Sequence, residues 1–227
     1  MVSYILLLLL TGDSIEHSAS VYRGSVALII RSIPKGSEYE GVFCGGAVID
    51  VFTVVTAAHC LDEISDLQID VIFPDGDFDC DNFRRVNVAY VEKVIRKKDL
   101  AFLRLQSPAS PTYIGSGADA HREVLAHGWS SLRKSRGVSC QPISIPLAIV
   151  DLAVCKKHNY PVSPDGSLCA IPSGEEASCF GDSGGPLFNT LDGSLVGITL
   201  GGEGCSTSRP TVYFSIKEII RARTHPS

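Results

Sequence analysis

The sequence has no excess of basic charge. It sets 20 Lys and Arg against 25 Asp and Glu, a net charge of −5. Such a chain has no broad positive field to displace counterions from a phosphate backbone, which excludes nucleic acid as a partner. A basic cluster, Arg96 with Lys97 and Lys98, stands just before an apolar run and reads as the solvated end of a strand. Long hydrophobic runs are also lacking. Ile5 to Leu10 is unbroken but far too short to span a bilayer, and no other segment is long and apolar enough. No CxxC pair offers zinc-site spacing, no clear N-x-S/T glycosylation acceptor occurs, and there is no fixed-period repeat or low-complexity tract.

What is present is the composition of an ordinary globular protein: 227 residues, 44% hydrophobic and 20% charged. That length holds one large domain or two small ones. Frequent Gly (21) and scattered Pro favour many short strands over a helical bundle. The apolar run at Ile5 to Leu10, followed by polar and small residues to Ser20, has the outline of a secretory signal peptide, although Met1 to Tyr4 carry no Lys or Arg. Residues 1–20 are therefore expected to be a leader and 21–227 the functional domain. Eight cysteines, an even number, point to an oxidising compartment and a disulfide framework.

Ser25 to Arg31 is a β-type run. CGGAVIDVFTVVTAAHC, rich in β-branched residues between its two cysteines, reads as a pair of strands. VNVAYVEKVI and LAFLRL follow, after a loop carrying Asp75, Asp77, Asp79 and Asp81. Residues 107–136 are rich in Pro, Gly, Ser and His, with a crossing between two halves expected near 107–122. VLAHGW, ISIPLAIV, GGPLF, LVGITLGG and TVYFSI repeat the earlier style. Two small antiparallel barrels suit such a pattern, and only Ile216 to Arg223 reads as helix.

Three residues stand out for chemistry. A serine hydroxyl needs a neighbouring base to take its proton and a third group to orient that base. Ser183 lies in CFGDSGGPL, where glycines permit tight turning and leave backbone N–H groups to face an oxyanion. His59 lies in TAAHC at the end of an apolar strand, and Asp99 precedes LAFLRL. Taken singly, His59 is more simply a satisfied polar residue and Asp99 a solvated turn residue. His17, His121, His127, His158 and His225 have no comparable flanks and receive no role.

At TAAHC, KDLAFLRL and GDSGGP, in that order, the chain resembles the trypsin and chymotrypsin family of serine proteases. CGGAVI, HGWS and PTVY extend the resemblance from about Ser25 to Tyr213. It implies an all-β fold of two six-stranded antiparallel barrels with a short C-terminal helix, and a secreted endopeptidase working through an acyl-enzyme. It makes His59, Asp99 and Ser183 the catalytic triad and the N–H groups of Gly181 and Ser183 the oxyanion hole. Asp182 would pair with a newly freed N-terminal amine. The pocket position six before the nucleophile is Ala177, with Gly202 and Thr211 as two more. With no carboxylate among them, small or medium apolar residues are the expected P1 group. The resemblance also implies the pairs Cys44–Cys60, Cys155–Cys169 and Cys179–Cys205. It leaves Cys80 and Cys140 on loops that lie side by side in this fold, to pair with each other, to pair outside the chain, or to stay reduced. Expected partners are protein or peptide substrates and protein protease inhibitors, on a monomer without a membrane. No cofactor or metal is expected. Calcium at Asp75, Asp77, Asp79 and Asp81 is the alternative, although alternating Asp is also a common solvated loop face.

The chain departs from the family in places. No Lys or Arg precedes Arg23 to mark an activation site, and the start expected by resemblance falls near Leu9 to Thr11. Leu200 and Gly201 replace a usual serine and tryptophan, and the terminal helix lacks the usual Trp. These departures keep open a second reading, a catalytically weak homologue acting as a binding or regulatory protein.

Overall fold

The computed structural model describes residues 26–31, 44–62, 69–73, 87–109, 120–128, 143–174, 182–202 and 206–224. They form twelve strands in two closed antiparallel barrels of six. The first comprises β1 (Val26–Arg31), β2 (Cys44–Asp50), β3 (Thr53–Ala57), β4 (Ile69–Phe73), β5 (Asn87–Lys97) and β6 (Leu100–Leu105). Its hydrogen-bonded order is β1-β2-β3-β6-β5-β4, closed by β1 on β4. The second comprises β7 (Glu123–Gly128), β8 (Ile143–Val150), β9 (Ser167–Pro172), β10 (Pro186–Asn189), β11 (Leu195–Gly202) and β12 (Thr211–Ser215), closed by β10 on β7. The chain passes from one barrel to the other between Leu105 and Glu123.

Side-chain alternation explains why β3 and β6 are buried at almost every position. Val54, Ala101, Leu103 and Leu105 point into the first barrel. Val55, Leu100 and Phe102 point the other way, into a cluster with Phe188, Leu195, Ile198, Ile216 and Ile219 of the second half. A strand with core on one face and the partner barrel on the other has no face to leave polar. Each such buried Val or Leu contributes about 1.5–3 kcal/mol of burial.

Two helices are described. α1 (Leu152–Lys157) starts from Asp151, whose carboxylate accepts the Ala153 N–H at 2.7 Å. This corrects the expectation that only the C-terminal stretch is helical: six residues are too few to show a 3.6-residue period. α2 (Ile216–Thr224) leaves β12 and packs back towards the first barrel, where Arg223 pairs with Asp50 and Lys98 with Glu218. IDVIF (β4) and SLCAIP (β9) are further strands that the sequence reading did not single out.

Candidate active site

His59 and Asp99 come from adjacent strands of the first barrel. β3 pairs with β6 so that Ala57 faces Leu100. The residues just beyond β3 and just before β6 are thereby adjacent: the Ala58 N–H donates to the Asp99 carbonyl at 2.9 Å. The chain then tightens into a 3-10 turn, Ala58–Leu61, which carries His59. Both oxygens of the Asp99 carboxylate are used on this one residue. Oδ1 accepts the His59 backbone N–H at 2.8 Å, and Oδ2 lies 2.9 Å from His59 Nδ1. The first contact fixes the backbone, and the second fixes the ring and selects the tautomer with its proton on Nδ1. That leaves Nε2 as the basic nitrogen, on a side chain 40% exposed.

Ser183 belongs to the second barrel, in the turn before β10, and is half-buried. Its carbonyl accepts the Gly45 N–H at 2.8 Å and lies 3.8 Å from Cys60 Sγ. Cys44 and Cys60 form a disulfide with Cα atoms 6.1 Å apart. The serine carbonyl therefore rests on Cys60 of the bridge and on Gly45, the residue that follows Cys44. Neighbouring glycines make this approach possible. A Cβ on Gly45 would lie 2.6 Å from Gly185 Cα, and one on Gly184 would lie 2.2 Å from Thr56 Oγ1. Gly184 also has φ +76°, a region costly for other residues. From behind, Thr199 of β11 holds the turn: its carbonyl accepts the Gly184 N–H at 2.7 Å and its own N–H donates to Gly185 at 2.8 Å.

Asp182 is 2% exposed and lies against Gly128, where a Cβ would meet its Oδ1 at 1.9 Å. Gly202 and Thr211 face each other across β11 and β12. Gly201 (φ +152°) has open space where a side chain would begin. A second disulfide, Cys155–Cys169, ties α1 to β9. Ala177, Gly181, the pairs Cys179–Cys205 and Cys80–Cys140, and the loop of Asp75, Asp77, Asp79 and Asp81 lie outside the described residues.

Several contributors were given no role from the sequence. Thr56 donates to the Gly45 carbonyl at 2.8 Å beneath the site, and Gly128 makes room for Asp182. His127 is 4% exposed, its ring edge-on to Phe188, with Nδ1 3.3 Å from Ser144 Oγ. Burial pushes its imidazole down to about 4. Only pattern with a known role could have found these, since Gly and Thr carry no chemical signature of their own.

Residues 15–222 match the sequence profile of the Trypsin family. Hypodermin-B of Hypoderma lineatum is 29% identical over 208 residues, 83% of this chain and 78% of that protein. Trypsin of Saccharopolyspora erythraea is 28% identical over 214 residues, 83% of this chain and 86% of that protein. Proteases of this kind act on protein substrates and need no cofactor. With a match across most of its length, on two barrels of the expected kind, the chain belongs to the trypsin family of serine proteases.

Proposed function

We propose that the protein is a secreted, monomeric serine endopeptidase whose domain spans residues 21–227 behind a leader at 1–20. The observation that supports this reading is that both oxygens of Asp99 hold His59 while the Ser183 carbonyl accepts the Gly45 N–H and lies 3.8 Å from Cys60 Sγ, the residue next to His59. His59 Nε2 takes the Ser183 hydroxyl proton as Oγ attacks the scissile carbonyl, forming the C–O bond and a tetrahedral oxyanion. The N–H groups of Gly181 and Ser183 hold that charge; losing one such donor costs about a hundredfold to a thousandfold in turnover. As the C–N bond breaks, His59 returns the proton to the leaving amine. Water, deprotonated by the same nitrogen, then releases the acyl group. Asp99 stabilises the imidazolium in both halves.

For specificity, Ala177, Gly202 and Thr211 supply no carboxylate, so a cationic P1 side chain would be desolvated without a partner. Small or medium apolar P1 residues are preferred, and a peptide-library profile dominated by Arg or Lys would overturn this. A second reading, a weak homologue that binds partners through its cleft, is favoured by Leu200, which brings no hydroxyl to Asp99, and by the open space at Gly201. Fluorophosphonate labelling of the folded, mature protein separates them. Labelling lost in Ser183→Ala supports the enzyme, and no labelling supports the homologue.

A further inference from the structure

Glu218 takes no part in the chemistry above, yet it is a carboxylate only 5% exposed. It stands three residues after Ser215 at the start of α2, and the Ser215 hydroxyl accepts its N–H at 3.2 Å. In a Ser-x-x-Glu start the glutamate ordinarily folds back to cap the serine N–H. Here the Ser215 N–H is already taken by the Gly166 carbonyl at 2.9 Å. The carboxylate is taken up by two cations instead. Oε1 accepts from Lys98 Nζ at 3.0 Å, while Oε2 is paired by charge with Arg221. Gly166 makes room, since a Cβ there would lie 3.2 Å from Oε2.

Lys98 immediately precedes Asp99, and the two form the turn between β5 and β6. Its φ is +54°, the left-handed region that a residue with a Cβ enters only under constraint. The backbone of such a residue sets the direction in which the next side chain leaves the turn. The Lys98 side chain is 78% exposed and would on its own gain little from an ion pair. Its partner is different: a buried carboxylate needs its cations, so the link holds Lys98 where it is.

We infer that Glu218 is a positioning residue that reaches across the barrel seam, holds Lys98 in its left-handed turn, and so aims the Asp99 carboxylate at His59. The kinetic side of the inference rests on the protease reading proposed above, and the geometric side does not. The alternative is that Glu218 merely fastens α2 to the first barrel.

The test uses Glu218→Gln, the exposed-site variant Lys98→Met, and Glu218→Gln combined with Lys98→Asn. Asparagine enters the left-handed region without a side-chain partner. Readouts are kcat and KM on a peptide ester and the NMR resonance of the His59 Nδ1 proton. Glu218→Gln and Lys98→Met are each expected to lower kcat by about tenfold with KM little changed, the scale of a small misplacement, and to shift or broaden the Nδ1 proton signal. Adding Lys98→Asn to Glu218→Gln restores most of the kcat. A fall in melting temperature with kcat and the proton signal unmoved would overturn the inference, as would failure of Lys98→Asn to rescue. Should Glu218→Gln not fold, Lys98→Met alone decides by the same readouts. Should the parent protein show no turnover, the protease reading fails and the Nδ1 signal still decides the positioning role.

Discussion

Gly128 and Asp182 fit together with no space to spare, because a methyl group on Gly128 would overlap the Asp182 carboxylate. Gly128→Ala must therefore push Asp182, and with it the adjoining Ser183 turn, out of place. We expect about a hundredfold loss of kcat, the lower range for losing one oxyanion donor, with a folded far-UV spectrum retained. Activity near the parent value would show that the turn tolerates the displacement. His127 gives the molecule a pH dependence of a different kind. Its folded-state value, held near 4 by burial, lies below the ordinary 6.5, so in acid the unfolded chain binds a proton that the folded one refuses. The associated stability is fully present above pH 6.5 and is lost as pH falls towards 4, roughly 3 kcal/mol in all. In His127→Asn the melting temperature should fall less steeply than in the parent between those limits. Parallel curves for the two proteins would exclude His127 as the source.

The two described disulfides brace different elements and should fail differently. Cys155–Cys169 clamps α1 against β9, with both residues at 0% exposure and away from the Asp99–His59 pair. Cys44–Cys60 joins the start of β2 to the turn carrying His59. Either closes a loop worth on the order of 3 kcal/mol in the chain-entropy model. Cys155→Ala with Cys169→Ala should lose about that much in a denaturant melt while kcat stays within a factor of about two. Cys44→Ala with Cys60→Ala should lose a similar amount of stability and, in addition, at least about tenfold in kcat. Equal effects on kcat would deny the bridge its bracing role. The same elements show what was legible in the sequence. β2 and β3 were readable because TVVT between two cysteines is dense in β-branched residues. β6 was readable because LAFLRL is apolar on both faces. β4 and α1, at five and six residues, are too short for periodicity to rise above composition. At the site, His59 and Asp99 were singled out through their flanks. Glu218 and Lys98 were not, because an ion pair 120 residues apart in sequence leaves no local pattern.

Across the whole molecule, one hydrophobic cluster is shared by the two barrels and α2, and Phe188, 0% exposed, belongs to it. Two barrels joined by a common core should unfold together. We expect a single transition in denaturant, coincident by fluorescence and circular dichroism, and a loss of about 3–5 kcal/mol for Phe188→Ala. Two separated transitions would show that the seam is no more than a contact between independent units. The seam has a further consequence for the order of events during synthesis. The first barrel emerges from the ribosome carrying His59 and Asp99, and Ser183 follows only after the chain has passed into the other barrel. On the reading proposed here, a nascent or half-folded chain is a base without a nucleophile. Hydrolytic power arrives only when the last strands close, which shields the growing chain from its own activity.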